Sequence, residues 1–264
     1  MKRVDFGKVA EVYAKWRDGI PESVFDRLLG TGVLDEKVQV VDLGCGTGLS
    51  SRDMAMLGCL VTGVDPSAEM LEEARKLDAA FGLQIRYIHA CAEETGLPDA
   101  SCDAVTAFRA WHWFDRTRAT QEANRLLKRG GWLVVSNSVF AADKHPLLKQ
   151  TMEIIAKHSP DGEFKSPGSL STSKARKHGF PAEWFDDWER AGFRMSDAWE
   201  TAYTVPFSHE GWRGKVQSMS NLAAMSPEGR NRVDEELKKL LEQNYAGQAL
   251  DLPHICSTVV LRKR

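Results

Sequence analysis

The stretch Val40-Val41-Asp42-Leu43-Gly44-Cys45-Gly46-Thr47-Gly48 constrains this chain more than any other. An apolar run that ends beside an acid and passes straight into alternate glycines reads as a buried strand, a tight turn and the start of a helix. Glycine lacks a Cβ, so the backbone there can turn sharply and lie close to a ligand. In a doubly wound sheet this spot, beyond the carboxyl end of the first strand, is where ligands bind. A second acid, Asp65, closes the next apolar run, Leu60-Val61-Thr62-Gly63-Val64, 23 residues after Asp42. A carboxylate so placed accepts hydrogen bonds from both hydroxyls of a ribose.

The glycine spacing separates two ligand classes. A dinucleotide fold uses GxGxxG and turns a helix N-terminus toward a pyrophosphate. Here the glycines fall at 44, 46 and 48, and position 49 is Leu. Asp42 would repel a pyrophosphate but suits a cationic aminoacyl group. An NAD(P)-dependent oxidoreductase is therefore the weaker alternative.

The rest of the first half alternates strand and helix patterns. Strands are expected at 38–43, 60–65, 85–89, 102–108 and 132–136. Helices are expected from 49 to about 57, with Gly58 as the stop, then after a Ser67 cap along Met70, Leu71, Ala74 and Leu77, then from Arg116 to Arg129 before Gly130-Gly131. Further on come a helix at 146–158, an irregular lid at 159–173, a helix at 181–191 with Trp184 and Trp188 as core, and a helix capped by Ser226 with Pro227 at its first position. Two more strands are expected near 198–205 and 257–261. The alternation predicts an α/β fold: a Rossmann-like doubly wound seven-stranded sheet, mostly parallel with an antiparallel last strand, helices on both faces, and a helical or loop lid insertion. We expect one domain over 1–264, with an N-terminal helical lid at 1–30, a ligand-binding core at 31–138, and substrate-side insertions at 139–180 and 205–250.

Charge narrows the partners. Lys and Arg total 35 against 37 Asp and Glu, a formal net charge of -2. No strong grip on a phosphate backbone follows, so a nucleic-acid partner is not expected. The short basic cluster Lys174-Ala175-Arg176-Lys177-His178 reads as a solvated face. Five cysteines, at 45, 59, 91, 102 and 256, form no CxxC pair. A disulfide framework is not expected, no metal site is expected, and a reducing cytoplasm fits. The charged opening from Met1 to Ala10 lacks the apolar stretch of a signal peptide, and no apolar run is long enough to span a bilayer. Oligomeric state is left open.

The region from about Val38 to Val135 resembles the class I S-adenosylmethionine-dependent methyltransferases. The glycine turn resembles their motif I. Gly63-Val64-Asp65-Pro66-Ser67, Leu97-Pro98-Asp99-Ala100-Ser101-Cys102-Asp103-Ala104-Val105 and Leu126-Leu127-Lys128-Arg129-Gly130-Gly131 are also similar. The resemblance implies S-adenosyl-L-methionine as cofactor. It places Gly44, Gly46 and Gly48 against it, with Asp42 organising the turn. Asp65, followed by Pro66, would take the ribose, and Ala92 and Glu93 would lie beside the adenine. Many family members carry Asp where this chain has Cys91.

Two further stretches extend the resemblance. The segment from Phe6 to Arg17 contains Tyr13-Ala14-Lys15-Trp16-Arg17, similar to segments in one branch of the family. On a helix Tyr13 and Arg17 share a face, and the guanidinium of Arg17 matches a carboxylate such as that of methionine. The run Ala107-Phe108-Arg109-Ala110-Trp111-His112-Trp113-Phe114-Asp115 is similar to one in methyltransferases related to trans-aconitate methyltransferase. That implies cofactor contacts for Phe108 and Trp111; aromatic faces favour a sulfonium, and Trp111 or Trp113 is the candidate to supply one, with packing as the plainer reading of both. His112 is the candidate catalytic base, with packing or a backbone hydrogen bond as the plainer reading. The expected activity is methyl transfer to a small molecule through a carboxylate, hydroxyl or amine. Alternatives are a cofactor-binding module without catalysis and an RNA or protein methyltransferase. Ser218 to Ser220 are candidate pocket residues.

Overall fold

The computed structural model describes residues 7, 10–165, 168–171, 173 and 175–264. Phe6 and Lys174, counted above in the N-terminal segment and the basic cluster, lie outside these residues. In chain order the elements are α1 (Ala10–Trp16), α2 (Glu22–Gly30), β1 (Gln39–Leu43), α3 (Leu49–Met56), β2 (Leu60–Asp65), α4 (Ala68–Ala80), β3 (Arg86–His89), β4 (Cys102–Phe108), α5 (Arg116–Leu126), β5 (Leu127–Phe140) and α6 (Pro146–His158). A short hairpin, β6 (Arg176–Lys177) and β7 (Phe180–Pro181), precedes α7 (Ala182–Arg190) and β8 (Phe193–Phe207). Then follow α8 (His209–Gln217), α9 (Ser220–Ala223), α10 (Pro227–Asn244) and β9 (Leu250–Lys263).

The sheet is seven-stranded in the order β3-β2-β1-β4-β5-β9-β8, mostly parallel with one antiparallel strand. Its centre is written in the sequence. Along β4 almost every side chain is buried, the continuous apolar run of a strand covered on both faces. Val41 pairs with Thr62 on one side and Val105 on the other.

The chain divides into two compact units. The larger contains the described residues of Gly19–Ser138, Gly168–Thr201 and Cys256–Arg264. Its core joins Val41, Leu43, Val105 and Val135 of the sheet to Ala119, Ala123 and Leu126 of α5 and to Trp184 and Trp188 of α7. The expected N-terminal lid of 1–30 is divided: α2 belongs to this larger unit, where Phe25 lies 5.4 Å from Phe108 and Arg27 binds Asp197 at 2.7 Å.

Helix α5 is shorter than its apolar pattern predicts, ending at Leu126 rather than Arg129. Leu127 instead pairs with Cys102, and a bulge follows before Ala104 meets Trp132. The ammonium of Lys263 donates to the carbonyls of Asn124 and Leu127, at 2.5 and 2.7 Å, which closes the helix end. Within the predicted lid, Gly168–Ser171 forms a turn of 3-10 helix.

The smaller unit contains the described residues of Met1–Asp18, Val139–Pro167 and Ala202–Ile255. Leu147, Leu148 and Ile155 of α6 pack with Trp212 and Val216 of α8 and with Val233, Leu237 and Leu241 of α10. Helices α8 and α9 carry no pattern strong enough to have been expected. Ser218, a candidate pocket residue, is buried at the end of α8 and donates to the Lys215 carbonyl at 2.6 Å. Helix α1 docks on α8 where Gly214 leaves room: a methyl there would run into the Trp16 indole, while one at Gly211 would only touch it at 3.5 Å. Beside it Lys215 and Asp18 form an ion pair with side chains only 3% and 5% exposed. Burial holds the Lys215 pKa well below its usual value. Removing one partner leaves the other charge buried alone. Asp18→Ala is expected to lower unfolding free energy by about 3–5 kcal/mol in urea titration, with Lys215→Met/Asp18→Leu recovering much of it.

Candidate cofactor site

The turn after β1 is held from several directions. Asp42 is 1% exposed, and its two carboxylate oxygens accept from Ser51 Oγ of α3 at 2.6 Å and Thr106 Oγ1 of β4 at 2.8 Å. Burial pushes its pKa up to about 6 against the opposing effect of these hydrogen bonds. This acid therefore links the end of β1 to α3 and to β4.

Gly44, Gly46 and Gly48 all have positive φ, at 68°, 55° and 74°. A methyl on Gly44 would lie 2.6 Å from Ala110 Cβ, and one on Gly48 would run into the Tyr87 hydroxyl. Gly44 and Gly48 are thus demanded by backbone sign and by protein neighbours, and Gly46 by backbone sign. Behind them Arg52 Nη1 donates to the Thr47 carbonyl at 2.8 Å and to buried Asp78 at 3.1 Å. Asp78 takes the buried place on α4 that the apolar pattern gave to Leu77.

Asp65 stands at the end of β2. Its carboxylate accepts the Gly46 N–H and the Ser67 N–H, both at 2.9 Å, so one acid joins the turn to the cap of α4. Burial raises its pKa despite these bonds. The Pro66 carbonyl lies 2.9 Å from His89 Nε2. Since β2, β1 and β4 are neighbours in the sheet, their carboxyl ends bring Asp42, the glycines, Asp65, Pro66 and Phe108 to one edge.

The loop after β3 buries Ala92, while Glu93 Oε1 accepts the Asp115 N–H at 2.8 Å. After β4, Arg109 adopts φ of 55° and leads into the 3-10 turn Trp111–Trp113. Trp111 is a core residue, 5.8 Å from Trp188 and 5.7 Å from Phe114 between ring centres. His112 is buried; its carbonyl accepts from Ser169 Oγ at 3.2 Å and its ring lies 4.9 Å from Trp113. Tyr13 and Arg17 belong to the smaller unit, where the guanidinium sits 5.0 Å from the Tyr13 ring centre. The sequence reading missed Ser51, Thr106, Arg52 and Phe114. A charged Asp78 beside an otherwise apolar helix stripe was the available signal for the Arg52 pair.

A doubly wound sheet with an acid-tied glycine turn at its carboxyl edge is the class these features define. A methyltransferase-domain family model matches residues 41–135. An uncharacterized methyltransferase of Mycobacterium tuberculosis is 37% identical over 49% of this chain and 50% of its own length. The chain thus spans about half the length of such curated relatives. A ubiquinone biosynthesis O-methyltransferase of Xanthomonas axonopodis is 30% identical over 69% of this chain and 71% of its own length. A Haemonchus contortus phosphoethanolamine N-methyltransferase, solved with phosphomonomethylethanolamine and S-adenosylhomocysteine, shares the fold. Its TM-score is 0.57 at 16% identity, covering 100% of this chain and 60% of that one. The chain belongs to the class I S-adenosylmethionine-dependent methyltransferase family. No helix among the described residues is long and apolar enough to cross a membrane.

Two measurements probe the site. An acid whose pKa is raised by folding binds its proton more readily folded than unfolded. Asp42 therefore makes stability fall as pH rises from about 4 to about 6, with no further change above. Asp42→Asn removes that slope, so the stability of the variant relative to the native protein should rise across this window in pH-dependent urea melts; parallel curves would contradict a buried Asp42. Gly48→Ala puts a side chain into left-handed backbone at a cost of about 1–2 kcal/mol before the collision with Tyr87. Its thermal midpoint should fall accordingly, whereas Gly82→Ala, left-handed with open space around it, should cost only the backbone part.

Proposed function

We propose that this protein transfers a methyl group from S-adenosyl-L-methionine to a small-molecule acceptor. The observation that carries the reading is Asp65, a buried carboxylate at the end of β2 that is tied to the glycine turn through Gly46. Each carboxylate oxygen has two lone pairs, so an oxygen already bound to one N–H can still accept from a ribose hydroxyl. The residue set fits an adenosyl ligand: an acceptor for the sugar, a turn with glycine at 44, 46 and 48, and Ala92 at the adenine side.

The cofactor, when bound, supplies a methyl group activated by a sulfonium. Asp65 fixes the ribose, the turn at 44–48 admits the aminoacyl portion, and Phe108 closes the end of β4. Alignment of this kind is worth about 7–11 kcal/mol of barrier. A hydroxyl or amine acceptor must lose a proton, and His112 is the group we assign to take it. A carboxylate acceptor needs no base. Relatives named as O-methyltransferases make an oxygen acceptor the first class to test.

Calorimetry should show S-adenosylhomocysteine binding and no comparable NADH binding. Asp65→Ala removes charge-assisted hydrogen bonds and should weaken that binding by about 1.5–3 kcal/mol, roughly 10- to 150-fold. Because ribose hydroxyls donate to the ionised acid, binding should also weaken as pH falls through the raised pKa of Asp65. Tight NADH binding alone would sink the reading. Screening with labelled cofactor identifies the acceptor, and no turnover on any metabolite panel would favour a binding module. With a hydroxyl acceptor, His112→Ala should cost about 10²–10⁴ in kcat.

A further inference from the structure

The segment after β4 touches both loops that flank the proposed ligand. At one end Ala110 and Phe114 fill the space a side chain at Gly44 would need, with Ala110 Cβ 2.6 Å and Phe114 Cζ 3.0 Å from that methyl position. At the other end Glu93 reaches across from the adenine-side loop to the Asp115 N–H, 2.8 Å away. Asp115 in turn caps α5 through the Arg118 N–H at 3.2 Å. Between these ends Trp111 is buried against Trp188, and the His112 carbonyl receives Ser169. A methyl on Gly168 would strike that same carbonyl, so the 3-10 turn at 168–171 lies flush on the strap.

We infer that Glu93 is a positioning residue that carries the state of the adenine-side loop into the strap of residues 110–115. A ligand in the crevice then sets the geometry around His112 before the acceptor arrives. The inference rests on the reading of the crevice as the S-adenosylmethionine site. Its physical basis is the lack of slack. A carboxylate-to-amide hydrogen bond is a strong link, and close packing at Gly44 passes on a displacement rather than absorbing it. The adenine loop and the glycine turn thus act on the strap from two points, and Trp111 and Ser169 limit how it can respond. Glu93 itself need not touch the ligand through its carboxylate, which is turned toward Asp115.

Amide hydrogen exchange with S-adenosylhomocysteine as probe tests this without knowledge of the acceptor. In the native protein, exchange should slow at 42–48 and also at 110–115, each by about threefold or more. In Glu93→Ala the ratio of strap protection to turn protection should collapse. Glu93→Gln keeps an acceptor oxygen and should restore it. A residue with only a structural role would lower both regions together and shift the melting temperature without changing their ratio. The inference is overturned if native protein responds at 42–48 alone, or if Glu93→Ala keeps the strap response. The native comparison stands even if Glu93→Ala fails to fold. No response in any region would overturn the cofactor reading and this inference with it.

Discussion

The carboxylate of Asp42, kept from water between two hydroxyls, is the interaction on which the rest of the larger unit depends. It links β1 to α3 through Ser51 and to β4 through Thr106. Those links fix where β1 ends, and hence where the backbone must reverse. The reversal uses left-handed backbone at Gly44, Gly46 and Gly48, which glycine adopts without the strain a side chain would add. Asp65 then fastens the middle of the turn to the next strand. Two neighbouring acids, both raised by burial, thus perform different tasks: one ties β1 to α3 and β4, and the other ties the turn to the end of β2 and the cap of α4.

Much of this was legible in the chain. Continuous apolar runs gave the central strands, and Ser67 and Ser226 cap their helices through Met70 and Gly229 as their positions imply. Trp184 and Trp188, four apart on a helix, are buried together. The boundary at Leu126 was not legible. The carbonyls there are met by a lysine from the far end of the chain, at 263, and local periodicity carries no trace of so distant a donor. The division of the first thirty residues was hidden for the same reason: α2 follows Phe108 and Asp197, both remote in sequence.

The site was legible as a set of positions and less so as a set of roles. Glycine was expected to make way for a ligand, and at Gly44 and Gly48 it also makes way for Ala110 and Tyr87. Trp111 was singled out as an aromatic face, and its ring is occupied by Trp188 and Phe114. Glu93 was placed beside the adenine, and its carboxylate is turned to the start of α5. Sequence patterns report which residues gather at the sheet edge; side-chain direction is decided by neighbours that a pattern does not name.

The furrow that Gly211 and Gly214 leave on α8 has a bearing on how the protein can be handled. It is shaped to an indole, and Trp16 is the residue that lies in it. A shortened version starting after Asp18 would open that furrow to water and strip Lys215 of its carboxylate at once. The first helix is therefore part of the body of the smaller unit, and trimming it as a dispensable leader would trade a tidy terminus for a sticky, charged wound.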